Sequence, residues 1–250
     1  MDRSPPKIFN RRRALTKWRR SESRRAFRSE TAYLTNALAD DVAERLEFMN
    51  LAPKHALLVG DCHDELALRL QNSAEKLSKQ SLFERDDEQP GPFEEYDLIV
   101  HLLGLGMVND LPGALIHARN SLAMDGLFIA AFPGAGSLTS LRQIALAADG
   151  ERPAARIHPQ VDIRAGTALL ERAGFARQVV DSYPVKVRFS SLERMIEDLR
   201  DHGLTSSLAS TAPPITRAGW QRARAAFDSM RDDGGKVTET FEILVLTGWR

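Results

Sequence analysis

Apolar runs of strand length that alternate with helical stripes predict an α/β fold, a mostly parallel sheet with helices on both faces. Three observations carry this. Tyr96–Leu103 and Leu127–Phe132 are continuous apolar runs, as expected of strands buried on both faces. Between them Leu111, Leu115, Ala118 and Leu122 recur at helical spacing. A chain of 250 residues suits one such domain with an insertion.

Each element follows from its own pattern. Residues 7–28 crowd Arg11, Arg12, Arg13, Lys17, Arg19, Arg20, Arg24, Arg25 and Arg28 onto several helical faces, with Ile8, Phe9, Leu15, Trp18 and Phe27 interleaved. Leu34, Leu38, Val42, Leu46 and Met49 then form one apolar helical stripe, ended by Asn50 and Pro53. The expected organisation is a basic helical extension over 1–52 and a main domain over 53–250. The first strand is expected at Ala56–Val59, followed by a helix carrying Leu66, Leu70, Ala74 and Leu77. Lys79–Arg85 reads as a short strand running into the polar turn chemistry of Asp86–Pro92. The helix of Leu111–Leu122 has Asn109 and Asp110 as cap candidates and Asp125-Gly126 as its close.

The strand Leu127–Phe132 ends at Pro133-Gly134-Ala135-Gly136, and helices follow at Ser137–Ala148 and Asp162–Ala173, the second stopped by Gly174. Residues 175–189 alternate in part and predict an extended strand or hairpin. Ser191–His202 and Thr216–Met230 predict a helical insertion at about 190–232, with a Ser-, Thr- and Pro-rich surface loop between them. Thr240–Trp249 closes the sheet.

Composition narrows the class. Hydrophobic content of 43% and charged content of 27% are those of a globular protein. A net charge of +0 conceals the basic start, so the remainder is acidic by difference. Cys62, the lone cysteine, excludes an intrachain disulfide and fits a reducing compartment. No apolar run approaches the roughly 20 residues of a membrane span, and no signal-peptide core follows the basic start. The aromatic residues within that start fit a folded helix as well as a transit peptide. The expectation is a soluble, cytoplasmic protein.

The candidate chemistry centres on Gly60-Asp61-Cys62-His63-Asp64, a strand–turn–helix position where nucleotide-type ligands lie over a helix N-terminus. It admits three readings. As a cofactor loop it has lost glycines, and added side chains and carboxylates fill and charge the space. As a metal or thiol site it has Cys62, His63 and Asp64 but no second cluster. As structure, Asp61 or Asp64 caps the next helix. Asp86, Asp87 and Glu88 offer a ribose or adenine acid, or a solvated loop. Asp97 reads as a site-edge residue or a strand-end cap, and His101 as a satisfied core histidine. Gly104 and Gly106 stand where the sheet edge faces a ligand crevice, or make a tight turn. Arg142, His158, Asp162 and Arg164 either converge above the sheet on an acidic or guanidinium-bearing partner, or form a surface pair with an exposed histidine. The basic segment reads as a partner-binding or sheet-capping helix; no nucleic-acid motif accompanies it.

Phe93–Pro112, Leu122–Phe132 and Arg172-Ala173-Gly174-Phe175 resemble Rossmann-like S-adenosylmethionine-dependent methyltransferases. A narrower resemblance rests on Gly134–Leu138 through Arg142, His158–Arg164, Met195–Arg200, Thr240–Ile243 through Thr247–Trp249, and Ile8–Arg11. These segments are similar to the branch of the mitochondrial respiratory complex I assembly factor with a methyltransferase fold and its bacterial relatives. Two departures stand out. Leu58 occupies the branch's acidic position, with Cys62 and Asp64 in place of later glycines. Between Leu77 and Phe93 there is room for one strand of roughly 5–6 residues, where the fold normally has two, so one strand–helix unit is lacking.

The resemblance implies S-adenosylmethionine as cofactor, with Gly60, Asp61, Leu102, Leu103 and Gly104 at its site. The leading expectation is a methyltransferase-like protein with weakened or lost cofactor binding that binds or modifies a protein partner, a respiratory-chain subunit. An active methyltransferase on a small molecule or protein, and a non-catalytic binding module, are the alternatives. No general base or metal site is assigned; arginine hydroxylation is implied by the branch, without a recognisable iron triad here.

Overall fold

The computed structural model describes residues 6–25, 33–62 and 64–250. Phe27, Arg28 and His63, singled out above, lie outside the described residues. The sheet comprises β1 (His55–Val59), β2 (Lys76–Gln80), β3 (Tyr96–Leu102), β4 (Leu122–Pro133), β5 (Ala176–Phe189) and β6 (Val237–Trp249). Their order is β2-β1-β3-β4-β6-β5. The first four run parallel, and β6 enters antiparallel between β4 and β5. The helices are α1 (Arg11–Arg25), α2 (Tyr33–Phe48), α3 (Glu65–Leu70), α4 (Leu111–Ser121), α5 (Thr139–Asp149), α6 (Ile163–Ala173), α7 (Leu192–Asp201) and α8 (Arg217–Ser229). This is an α/β arrangement with a mostly parallel, mixed sheet of six strands.

Burial explains the central strands. Every residue from Leu127 to Phe132 is 0% exposed, so both faces of β4 are covered. Phe128, Phe132, Leu98 and Leu246 sit in the main core, each contributing about 1.5–3 kcal/mol by leaving water. A second apolar cluster, including Ile144, Phe189, Met195 and Phe227, lies where α5, α7 and α8 pack beside the ends of β5 and β6. Side-chain caps start the later helices. Asp162 accepts from Ala165 N at 2.7 Å, Ser191 from Arg194 N at 3.2 Å and Thr216 from Gly219 N at 3.1 Å. Gly174 ends α6 at φ 80°, as a left-handed C-terminal residue should.

Three expectations need correction. The short strand is Lys76–Gln80, not Lys79–Arg85, and it pairs in register with β1 from His55↔Lys76 to Val59↔Gln80. The free backbone edge of β1 takes the first segment that reaches it. The stripe Leu66–Leu77 accordingly breaks: α3 stops at Leu70, and Leu77 is a strand residue. Finally, α4 ends at Ser121, and Leu122 already pairs with Tyr96, so Asp125-Gly126 lies within β4 rather than closing the helix.

Candidate functional site

Two places on the carboxyl edge of the sheet present themselves, and they differ in kind. The first lies above β1 and β3. These strands are neighbours from which the chain departs in opposite directions, the switch point at which open α/β sheets take ligands. Gly60 and Leu103-Gly104 meet there. Gly60 has φ +84°, and an added Cβ would collide with the Leu102 carbonyl oxygen, so a glycine is required. The same added Cβ would lie 2.9 Å from Leu82 Cδ2, and one added at Gly104 would lie 2.8 Å from that atom. Leu82 is 0% exposed. One side chain thus fills the space against both glycines.

Helix α1 closes the place from outside. Trp18 is buried, and its Nε1 donates to Ser81 Oγ at 2.9 Å, while Ser81 Oγ donates to Glu22 Oε1 at 2.7 Å. Arg11 donates to the Phe83 carbonyl at 2.8 Å, and the Arg25 guanidinium stacks 4.6 Å from the Trp18 ring centre. The turn carrying Leu82 and Phe83 is therefore held against the crevice by the basic helix. In this arrangement Leu82 packs against both glycines, where the resemblance would place S-adenosylmethionine.

The loop residues themselves turn to local bonds. The Asp61 carboxylate accepts from Ala67 N at 2.8 Å and Leu66 N at 3.3 Å, so it holds the start of α3. Burial raises its pKa, against the lowering effect of those two N–H groups. Cys62 Sγ donates to the Gly60 carbonyl at 3.1 Å, and burial pushes its thiol up to about 12, so it is not a thiolate nucleophile. Asp64, at φ 59°, accepts from Lys79 Nζ at 2.8 Å and makes no cap bond. Among the described residues no group of three His, Cys, Asp or Glu side chains is placed to share a metal ion.

The acidic turn after β2 is tied down rather than solvated. Asp87 Oδ2 lies 3.4 Å from His101 Nε2; burial pushes Asp87 upward, yet His101 beside it carries the carboxyl below its usual range. His101 Nδ1 is buried without a hydrogen-bond partner, so this histidine is not fully satisfied as expected. Asp86 pairs with Arg11 at 3.6 Å, and Glu88 Oε1 accepts from Asn109 N at 2.7 Å. Asn109 does not cap α4: its Oδ1 accepts from Phe9 N at 2.7 Å, joining the N-terminal segment to the sheet edge. Asp110 is the cap, through Gly113 N at 3.0 Å. Asp97 accepts from His55 N at 2.8 Å and staples the starts of β1 and β3.

The second place is open. A cavity of about 220 Å³ begins at Leu103, Gly106 and Met107, beside the filled crevice, and runs under α5, α7 and α8. Its wall is apolar apart from polar groups that include Arg156, His158, Gln160 and Ser206. His158 Nε2 accepts from Ser207 N at 2.7 Å, which leaves Nδ1 as the protonated nitrogen of a neutral ring. Burial, with the Lys17 ammonium nearby, lowers its pKa to about 4.

The set of Arg142, His158, Asp162 and Arg164 does not converge. His158 lines this cavity, whereas Asp162 and Arg164 border a separate surface groove with Glu242, where Asp162 caps α6. Arg142 borders neither. The basic segment behaves as a sheet-capping helix, with Arg11, Arg13, Lys17, Arg24 and Arg25 all bonded to the body. Sequence reasoning missed Leu82 and the cavity, and gave Trp18 no role beyond fitting a folded helix. The signal for Leu82-Phe83 was present as two large apolar residues between polar turns; the cavity, being a space between helices, leaves no such mark.

No family model matches the chain. It is 33% identical over 170 residues to human "Arginine-hydroxylase NDUFAF5, mitochondrial", a match covering 66% of this chain and 49% of that protein. It is 29% identical over 155 residues to the malonyl-[acyl-carrier protein] O-methyltransferase of Laribacter hongkongensis, covering 62% of this chain and 51% of that protein. The chain spans about half the length of the curated relatives it matches. Among solved structures, a putative methyltransferase of Bacillus halodurans superposes with TM-score 0.54 at 11% identity, covering 83% of this chain and 97% of that one. The YcgJ protein of Bacillus subtilis superposes with TM-score 0.54 at 10% identity, covering 87% and 98%. These two structural likenesses establish the fold alone.

Proposed function

We propose a function from the premise the relatives supply: this chain belongs to the S-adenosylmethionine-dependent methyltransferase superfamily, on the NDUFAF5-like branch with bacterial malonyl-[acyl-carrier protein] O-methyltransferase relatives. On that premise it is a methyltransferase-like protein with weakened or lost S-adenosylmethionine binding that works by binding a protein partner in the cytoplasm. A respiratory-chain subunit is the partner class the branch favours. The site residues of the reading are Gly60, Asp61, Leu102, Leu103 and Gly104.

One observation carries this reading: Leu82 fills the space against Gly60 and Gly104. Its placement follows from a short connection. Between β2 and β3 only residues 81–95 intervene, with no helix or strand among them. A strand–helix unit that the fold normally places here is, on this reading, absent, and its role as a crevice wall has passed to the 81–84 turn. The extension 1–52 then serves as a cap over the domain 53–250. Titration calorimetry with S-adenosylmethionine tests the reading. No heat and no thermal shift at millimolar ligand is expected; tight one-to-one binding would overturn it.

A second reading, an active methyltransferase on a small molecule, is favoured by a different observation. The cavity beside Leu103 opens where an acceptor would meet a donor held over Gly104. It requires the 81–84 turn and α1 to move together, and the same titration separates the two.

A further inference from the structure

The cavity between the two apolar clusters is a site in its own right, independent of any cofactor. Three observations define its ligand. The first is size: at about 220 Å³ it exceeds the roughly 150 Å³ that holds benzene in an engineered protein cavity, and at the same ratio takes about nine carbon atoms. The second is the lining. Leu141, Ile144, Ile196, Leu199 and Ile215 offer no hydrogen bond to water along most of its length, so water gains little by entering.

The third is charge at the rim. Lys17 Nζ donates to the carbonyl of Ser206, a rim residue, and Arg13 Nη1 donates to the carbonyl of Leu208, two residues further on. Among the described residues no carboxylate forms an ion pair with Lys17 or Arg13, whose partners are Ser206, Leu208 and Thr211. Neighbouring cations without a counter-ion favour an anion between them. The acids facing this region are otherwise engaged: Asp201 accepts from Arg24, and Asp198 accepts from Tyr33 Oη at 2.6 Å. His158, whose Nε2 already accepts from Ser207, stays neutral at the rim and does not oppose a hydrocarbon passing it.

We propose that this cavity binds a single-chain amphiphile, its hydrocarbon tail of about nine carbons among the α5, α7 and α8 side chains and its carboxylate beside Lys17 and Arg13 at the Ser206 rim. Tail and head are both needed. The tail supplies affinity, about fourfold per methylene, and the head sets orientation.

The test uses the full chain and decanoate below its micelle concentration, with decanol as the neutral probe. Decanoate binds measurably by calorimetry and decanol about tenfold more weakly, a difference that Arg13→Gln or Lys17→Gln narrows to about twofold. Arg13 bonds Thr211 on the protein surface, so that variant keeps the test valid if Lys17→Gln fails to fold. Decanoate brominated at its terminal carbon quenches Trp220 fluorescence, and Trp220→Phe removes that quenching while decanoate still binds. Absence of binding, equal affinity for decanol and decanoate, or quenching unchanged in Trp220→Phe would each overturn the proposal.

Discussion

The two places on the carboxyl edge of this sheet are separated by little more than the Leu103–Met107 turn, yet one is filled and the other is empty. Above β1 and β3, a connection of residues 81–95 lays Leu82 against Gly60 and Gly104, and α1 pins it there through Trp18 and Ser81. Above β4, the chain spends residues 190–236 on α7 and α8 before returning as β6, and these helices roof a cavity they do not fill. The lesson is about connection length. A short link drops a side chain into the ligand crevice, while a long insertion brings a second apolar cluster whose seam with the first stays open.

The closed side is the more sensitive to substitution. Trp18→Ala removes a fully packed ring, its hydrogen bond to Ser81 and its contact with Arg25, and should lower stability by about 3–5 kcal/mol in urea titration. It should also expose the amides of the 81–84 turn to hydrogen exchange. A loss below about 1 kcal/mol would mean that α1 is not the seal described. Leu82→Ala is next, at about 3 kcal/mol. This variant also tests whether the crevice can be reopened: a thermal shift with S-adenosylmethionine larger than that of the natural chain is expected. A stable variant without such a shift would show that Leu82 alone does not hold the crevice shut.

On the open side the expected effect is small. Ala145→Leu adds methyl groups facing existing space, and should alter stability by less than about 1 kcal/mol. A destabilisation above 2 kcal/mol would show that the cavity is already packed, and the contrast between the two places would collapse.

How much of this was legible beforehand depends on what each residue's signal consists of. Asp162, Ser191 and Thr216 were legible as helix starts because a cap is a local bond between neighbours in sequence. Leu127–Phe132 was legible because burial on both faces leaves a continuous apolar run. β2 was not: Lys-Leu-Ser-Lys-Gln has one large apolar residue, and its strand state comes from pairing with the edge of β1. Asn109 looked like a cap and bonds Phe9, a hundred residues away in the chain, for the same reason. The loop at Gly60 was legible as altered, but the residue that fills the crevice arrives from another turn, a juxtaposition that no local spacing encodes.

His158 stands where the two places meet, on the rim of the open cavity and beside Lys17 of the sealing helix, so its titration probes both at once. Burial and the Lys17 charge hold its pKa at about 4, against 6.5 for a free histidine. The native ring therefore stays neutral where the unfolded ring takes a proton. Between pH 6.5 and 4 the unfolded state binds more protons, and stability must fall as pH falls through that window. His202, also lowered by burial, adds to the same slope, while Asp61, Asp198 and Glu239, raised by burial, oppose it. The wild-type slope is thus a sum, and the difference from His158→Asn isolates one member of it. An asparagine oxygen still accepts from Ser207 N but does not titrate. With allowance for partial exposure, the variant should lose about 1–2 kcal/mol less than the wild type between neutral pH and pH 4, read from urea midpoints. Parallel pH profiles would mean that the ring takes its proton freely in the folded state. The rim would then be wet and not the apolar threshold that separates a filled crevice from an open one.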